Sequence, residues 1–139
     1  MKYTTKQIGA YGENVAEEYL KKRGWRILSR NYRVNGGELD IVGFRFGVLV
    51  FFEVKTRTGD AYGLPSESVD GRKLSRIQKA SRHFLNSFAY DGRIRVFYPL
   101  GIEKRRHIFK KRVDVIEVYL DKTDGATRIN HIKDWENKL

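Results

Sequence analysis

The stretch GGELDIVGFRFGVLVFFEVKTR, residues 36–57, decides the fold of this chain. It is rich in Val, Ile, Leu and Phe, but acids and a lysine interrupt the apolar run at Glu38, Asp40, Glu53 and Lys55. Burying such ionisable groups without partners costs free energy, so they must bind a cation or one another. The stretch therefore predicts a pair of core strands that carry a charged cluster.

A hairpin register places the acids next to each other. We predict strands at about 38–44 and 48–56, joined by a short turn at Phe46-Gly47. With an even number of turn residues, Asp40 lies directly opposite Glu53. An odd loop without a bulge would put Asp40 on the other face, because a slip of one residue reverses every side chain.

The same register predicts how the two faces of the hairpin are used. Glu38 lies opposite Lys55, on the face that holds the other acids. That face continues with Val42, Phe44, Leu49 and Phe51, and the other face carries Leu39, Ile41, Val50, Phe52 and Val54. Because both faces are apolar, we expect an α/β fold with a mixed central β-sheet flanked by helices on both faces.

Length and composition limit the class of protein. The 139 residues, 1–139, allow one domain, and no segment announces a linker. A net charge of +11 and a pI near 9.9 favour an acidic partner such as DNA or RNA. The chain has no cysteine and no apolar run that reaches membrane-spanning length, so we expect a cytoplasmic protein and no membrane partner.

Two helices are predicted on either side of the hairpin. The first is capped by Thr4 or Thr5 and ends at Gly24. Gly9 and Gly12 within it suggest that another backbone or a ligand passes close. The second helix covers about residues 70–88, and its outer face carries the basic residues Arg72, Lys73, Arg76, Lys79 and Arg82.

These basic residues predict a nucleic-acid surface. No acid lies between Gly71 and His83, whereas a merely solvated face would mix signs, so we expect phosphate contacts. A second basic segment follows at about 89–111, which either tracks a nucleic-acid backbone or is a flexible loop that closes on substrate. We assign Arg57 to the same surface, together with Lys104, Arg105, Arg106, Lys110 and Lys111.

The charged cluster suits a hard cation. Mg²⁺ or Mn²⁺ takes oxygen ligands from one or two carboxylates, and Asp40 and Glu53 supply these, with the Val54 carbonyl as a further ligand. Lys55 lies on the same side and can stabilise an attacking hydroxide or the charge on a phosphate. The alternative is a buried salt bridge that only organises the core. The scattered histidines, His83, His107 and His131, predict structural or solvated roles.

The same residues resemble a known family. The Asp40 and Glu53-Val54-Lys55 pattern is similar to the PD-(D/E)xK nuclease superfamily, which includes restriction endonucleases and archaeal Holliday junction resolvases. The chain more closely resembles the YraN-type family of small bacterial proteins. The match continues through Gly12-Glu13, Arg30-Asn31, Gly37-Glu38-Leu39-Asp40-Ile41, Phe52-Glu53-Val54-Lys55-Thr56-Arg57, Tyr62-Gly63, Pro65, Arg112-Val113-Asp114-Val115, Ile129 and His131-Ile132.

The resemblance implies a function and extends the site. It implies a restriction-endonuclease-like fold and a metal-dependent endonuclease with Asp40, Glu53 and Lys55 as its catalytic core. It adds Glu13 as a first-helix acid at the metal and Glu38 as a supporting acid. It also implies that the segment at about 89–111 is an insertion relative to the family. By analogy with the resolvases, DNA is favoured over RNA and branched structure over sequence, and junction cleavage would need a homodimer.

Two other classes of function stay open at this point. A non-catalytic nucleic-acid-binding module could retain the nuclease fold, and it would bind without cutting. An adaptor for an acidic partner is the third alternative, and its binding would survive high salt, whereas phosphate-dominated binding weakens steeply.

Overall fold

The computed structural model describes residues 3–58, 71–121 and 127–138. Two short 3₁₀ segments, Pro99–Gly101 and Trp135–Lys138, accompany the regular elements. In chain order these elements are α1 (Thr5–Lys22), β1 (Arg26–Val34), β2 (Gly37–Arg45), β3 (Val48–Thr58), α2 (Gly71–Phe88), β4 (Ala89–Tyr90), β5 (Arg93–Tyr98), β6 (Ile102–His107), β7 (Lys110–Leu120) and β8 (Thr127–Ile132).

A five-stranded mixed sheet forms the centre of the described fold, in the order β1-β2-β3-β7-β8. Only β3 and β7 run parallel, and the other neighbours in this sheet are antiparallel. The parallel pair spans the whole of β3, from Val48 opposite Lys110 to Thr58 opposite Leu120. The central position of β3 explains its apolar sequence, because both of its faces are covered.

Each face of the five-stranded sheet buries its own core. On one face α2 contributes Ile77, Ala80 and Phe84, which pack on strand residues such as Val42 and Phe51. On the other face α1 packs Ala16 and Leu20 against residues that include Ile41, Val50, Phe52, Ile116 and Val118. The predicted α/β fold, with a mixed sheet and helices on both faces, is confirmed.

Helix α1 is fixed at its start by a cap and in its middle by a glycine. Thr4 forms a capping box with Gln7, which confirms one of the two predicted cap positions. Gly12 faces β3 so closely that a Cβ there would collide with the Thr56 hydroxyl. A close approach is therefore confirmed at Gly12, where the neighbour is the Thr56 side chain, whereas no described protein atom would lie within 4 Å of a Cβ at Gly9.

The predicted insertion is an ordered sheet over most of its length. Strands β4, β5 and β6 form a second, three-stranded antiparallel sheet, in which Arg93 pairs with His107 and Tyr98 with Ile102. Ile94 and Val96 of β5 join the core beneath α2. The flexible-loop interpretation is wrong for the strands of this segment, because β5 buries apolar side chains on alternate positions and so anchors β6 to the core.

A buried polar network attaches β8 to β7. Asp114 is fully buried, accepts two hydrogen bonds from Arg112, and lies 2.8 Å from Nε2 of His131. Burial opposes its charge, but the His131 and Arg112 hydrogen bonds hold the pKa of Asp114 below its ordinary value. His131 also contacts the hydroxyl of Tyr19 on α1. The structural role expected for His131 is confirmed.

Neither helix in the three described ranges has both the length and the apolar character needed to cross a membrane.

Candidate active site

The β2–β3 hairpin brings Asp40 and Glu53 together. The turn holds two residues, Phe46 and Gly47, both with positive φ, and the pairing runs from Arg45 opposite Val48 to Ile41 opposite Phe52. This even-loop register is the one predicted, and its next step places Asp40 beside Glu53. The two carboxylates are close enough to interact electrostatically, because the charge on Asp40 raises the pKa of Glu53.

The backbone pairing between β2 and β3 ends just before Asp40 and Glu53. Beyond Ile41 opposite Phe52, the backbone N–H of Val54 donates to Oδ2 of Asp40 at 2.9 Å. The Asp40 carboxylate thus accepts a backbone hydrogen bond just beyond the last paired residues of β2 and β3. This bond orients the Asp40 carboxylate at the end of the ladder.

Two predicted side-chain positions near the end of the β2–β3 pairing, those of Leu39 and Glu38, are wrong. Leu39 was expected to share a face with Ile41, but it packs in the core beneath α2, whereas Ile41 packs beneath α1. Glu38 was expected to face Lys55, but its carboxylate lies 3.5 Å from the Lys73 ammonium and 3.7 Å from the Arg33 guanidinium. The strict alternation fails in the stretch where β2 no longer pairs with β3, although β2 still pairs with β1 there.

Glu53 is the most strongly perturbed acid of the cluster. Its side chain is 7% exposed, and its Oε2 atom has no hydrogen-bond partner among the described residues. Burial and then the neighbouring Asp40 carboxylate raise the pKa of Glu53 to about 8. Burial also raises the pKa of Asp40; the Val54 N–H opposes that shift and the Glu13 charge adds to it.

Lys73 of α2 is the functional residue that the sequence interpretation misplaced. We expected it on the outer basic face, but its ammonium lies 3.0 Å from Oε1 of Glu53. Burial alone would lower the pKa of Lys73, but the neighbouring carboxylates, Glu53 first, raise it above its ordinary value. The signal was in the spacing, because Lys73 lies four residues before Ile77 and seven before Ala80, on the buried stripe.

Lys55 and Glu13 differ in their contacts with other residues. Lys55 is half-buried, and the described ranges contain no hydrogen-bond or ion-pair partner for its ammonium. Glu13 is held 3.2 Å from Nη2 of Arg30, and it reaches Asp40 only through its charge. The predicted roles of both residues stay predictions.

The described residues fit a metal site that is only partly built from protein. Three side chains of His, Asp or Glu do not converge as a ligand group anywhere in residues 3–58, 71–121 and 127–138. Two carboxylates side by side, one with an unpaired buried oxygen, still match the ligand set that Mg²⁺ accepts when water fills the other positions. Asp40 and Glu53 are therefore the candidate ligands, while the Val54 carbonyl stays a prediction.

Most of the residues predicted to contact nucleic acid are exposed, but Arg57 and Lys73 face other residues of the protein. Arg57 is buried and pairs with Glu117 at 2.9 Å, so its assignment to this surface is wrong. Lys73 leaves the surface because it faces the acids. The remaining basic residues of both segments are exposed: Arg72, Arg76, Lys79, Arg82, Lys104, Arg105, Arg106, Lys110 and Lys111. Tyr62 and Pro65, which belong to the family pattern, lie outside the described residues.

The fold is restriction-endonuclease-like, since a mixed sheet lies between helices and its central hairpin carries the acidic pair. Comparison of the sequence with protein families matches residues 12–118 to the Uncharacterised protein family UPF0102. The chain belongs to this family, which confirms the resemblance to the YraN-type proteins.

Curated relatives agree with this assignment over nearly their whole length. A UPF0102 protein of Clostridium botulinum (strain Alaska E43 / Type E3) is 39% identical over 134 residues, which cover 96% of this chain and 97% of the relative. A UPF0102 protein of Caldicellulosiruptor bescii is 39% identical over 129 residues, covering 93% and 96%. One from Pelotomaculum thermopropionicum is 39% identical over 128 residues, covering 92% and 93%.

Proposed function

We propose that this protein is a nuclease that depends on Mg²⁺ or Mn²⁺ and hydrolyses phosphodiester bonds in nucleic acid. The observation that carries the proposal is the Asp40–Glu53 pair, in which Oε2 of Glu53 is buried without a hydrogen-bond partner among the described residues. Buried carboxylate oxygens are ordinarily paired, and an unpaired one beside a second carboxylate is a candidate metal ligand. Mutual repulsion and burial, which raise the pKa of Glu53 to about 8, both favour a cation at this point.

The residues divide the work between holding the cation and handling the phosphate. Asp40 and Glu53 would hold Mg²⁺ or Mn²⁺, and the Val54 N–H keeps the Asp40 carboxylate oriented. When bound, the cation supplies a Lewis acid that activates water and neutralises phosphate charge. Lys55 places an ammonium on the same strand as Glu53, where it would donate to a phosphate oxygen as charge develops there.

Glu13 and Glu38 act as supporting acids in this proposal. Glu13 adds negative charge at the site while Arg30 holds its carboxylate. Glu38 shares the Lys73 ammonium with Glu53, so Lys73 is divided between two acids. A lysine shared in this way neutralises the cluster when no cation is bound, and its flexible side chain can withdraw when one enters.

The substrate assignment rests on the exposed basic residues. Arg72, Arg76, Lys79 and Arg82 line one helix and would contact phosphates, which position a backbone without reading its sequence. We therefore propose structure-selective cleavage, with DNA favoured over RNA and branched or junction-like DNA as the substrate. Cutting both strands of a junction would take two active sites and hence a homodimer.

Cleavage assays test the proposal directly. Labelled junction, flap, single-stranded and duplex DNA, and RNA, are incubated with Mn²⁺ or with EDTA. We expect cleavage that needs Mn²⁺ and that is lost in Glu53→Ala and Lys55→Ala. Glu18→Ala and Lys22→Ala remove matched charges from exposed positions of α1 and should cleave like the wild type. Equal cleavage by Glu53→Ala and the wild type would sink the proposal.

A second candidate, a non-catalytic nucleic-acid-binding module, is favoured by the position of Lys73. Its ammonium lies 3.0 Å from Glu53, so the cluster is partly neutralised by the chain itself. A binding module predicts that Mn²⁺ leaves the unfolding temperature unchanged and that all substrates bind without being cut. A nuclease predicts a rise in that temperature with Mn²⁺, which is lost in Glu53→Ala.

A further inference from the structure

A second site lies at the far end of the hairpin from the acids. A cavity of about 640 Å³ opens between the β2–β3 turn, the start of β1 and the edge strands β5 and β6. It is large enough for a nucleotide, since small-molecule sites typically span about 300–1,000 Å³. Arg45 on its rim is five residues from Asp40 along β2, which corresponds to about 17 Å of strand.

The cavity concentrates positive charge without neutralising it. Its lining contains no acid and brings together five arginines from four strands, namely Arg26, Arg45, Arg93, Arg105 and Arg106. In the described part of the chain none of these five forms an ion pair. Like charges gathered in this way repel one another, and an anionic ligand would remove that cost.

Aromatic rings hold several of these guanidinium groups in place. Arg26 and Arg106 lie 5.2 Å and 5.3 Å from the ring centre of Tyr98, and Arg106 also donates to the Tyr98 hydroxyl at 3.0 Å. Arg45 stacks 4.5 Å from the ring centre of Trp25. The cations are thus ordered before any ligand arrives, which lowers the entropic cost of binding.

Phe46 and Phe109 give the cavity exposed ring faces. Phe46 is 91% exposed and has a φ of 49°, in a hairpin turn where Asn or Gly is the favoured residue. A left-handed conformation costs a non-glycine residue about 1–2 kcal/mol, and here no buried surface offsets it. Phe109 is 79% exposed and packs on Gly47 of the same turn. Two exposed rings beside arginines, one of them kept in a strained turn, suit the stacking of bases.

We infer that this cavity binds a single-stranded segment of nucleic acid, with phosphates on the arginines and bases on Phe46 and Phe109. Arginines with interleaved aromatic rings provide the phosphate contacts and the stacking surfaces that single strands use. Duplex bases are already stacked on one another and cannot use the rings in this way. The site lies apart from the acids and needs no divalent cation, so it stands whether or not the Asp40–Glu53 site cleaves.

Fluorescence anisotropy of a labelled oligothymidylate of roughly 12 nucleotides, in EDTA, tests the site. Phe46→Asn places a residue that tolerates the turn geometry, so the variant should fold at least as stably as the wild type. We expect it to bind at least about fivefold more weakly, the loss that one stacked base accounts for. Arg105→Gln should lower the salt slope of log K by about 0.7, the value for one phosphate contact on a single strand.

Matched controls make the outcome decisive. Arg128→Gln removes the same charge from the exposed β8, at the other edge of the five-stranded sheet, and should bind like the wild type. Equal affinity of Phe46→Asn and the wild type, or an equal loss in Arg128→Gln, would overturn the inference. So would displacement by polyglutamate or anionic vesicles as effective as displacement by unlabelled oligothymidylate, or tighter binding of a duplex that also depends on Phe46.

Discussion

At the scale of single residues, Glu53 is kept at a cost to stability. Its side chain is 7% exposed, and Lys73, 3.0 Å away, does not fully offset its burial beside Asp40. A group with such surroundings favours the protonated form in the folded protein. The position is therefore better explained by binding than by packing, because a neutral residue of the same shape would fit with less cost.

Glu53→Gln should make the protein more stable at pH 8 and flatten its pH dependence. The pKa of Glu53 is about 8 in the folded protein against an ordinary value of 4.5. Its contribution is therefore fully present below pH 4.5 and is lost as the pH rises toward 8. We expect a gain of about 2–4 kcal/mol in the free energy of unfolding at pH 8. One pKa unit corresponds to about 1.4 kcal/mol, and part of the gain is offset because Gln cannot form the ion pair with Lys73.

Urea unfolding at several pH values between 4 and 9 measures this effect. Glu18→Gln, on the exposed side of α1, is the control and should follow the wild-type curve. An identical pH dependence in Glu53→Gln and the wild type would show that Glu53 titrates normally.

At the scale of elements, α1 depends on one glycine to reach β3. Gly12 lies against Thr56, so the helix can approach the strand only without a side chain there, whereas Gly9 faces open space. Glu13 is the next residue of the helix, and its charge raises the pKa of Asp40. The position of α1 on β3 therefore also affects the electrostatics of the acidic pair.

Gly12→Ala and Gly9→Ala should shift stability in opposite directions. At Gly12 the new methyl group collides with the Thr56 hydroxyl, and we expect a loss of about 1–3 kcal/mol. At Gly9 the methyl meets no atom within 4 Å, so the higher helix propensity of Ala should stabilise the fold by up to about 1 kcal/mol. Thermal unfolding of the two variants, which differ from the wild type by the same methyl group, measures both. Equal effects would contradict the close α1–β3 contact.

At the scale of the whole molecule, the net charge of +11 is spread over separate surfaces. The α2 face exposes Arg72, Arg76, Lys79 and Arg82, and the arginine-lined cavity lies at the hairpin turn. Arg57 and Arg112 are instead held by Glu117 and Asp114. Basic composition alone therefore overstates the area that can meet a polyanion.

Binding to duplex DNA should weaken as the salt concentration rises, and the basic residues of α2 should account for part of this dependence. We expect Arg72→Gln/Arg76→Gln to lower the slope of log K against log salt by about 1.8, since each phosphate contact contributes about 0.9. Lys6→Gln/Lys22→Gln removes the same charge from exposed positions of α1 and should leave the slope unchanged. Equal slopes for the two double variants would mean that α2 does not contact the duplex. Binding by the wild type that survives high salt would instead favour an acidic-partner adaptor.

The sequence by itself determined the periodic parts of this protein. Apolar spacing predicted both helices, and the two-residue turn at Phe46-Gly47 determined the register that puts Asp40 beside Glu53. Local rules suffice there, because turn length and side-chain alternation act between neighbouring residues. The family pattern added Glu13, which spacing alone could not connect to the site.

Only the tertiary structure decided which charged residues share the site and which are buried. Lys73 was predicted on the basic nucleic-acid face of α2 but lies against Glu53, while Arg57 was predicted on the same surface but is buried with Glu117. Leu39 lies on the other face from the one predicted, in the stretch of β2 that no longer pairs with β3. These outcomes depend on how helices dock on the sheet and where strand pairing stops. Such contacts join residues distant in sequence, and local periodicity does not encode them.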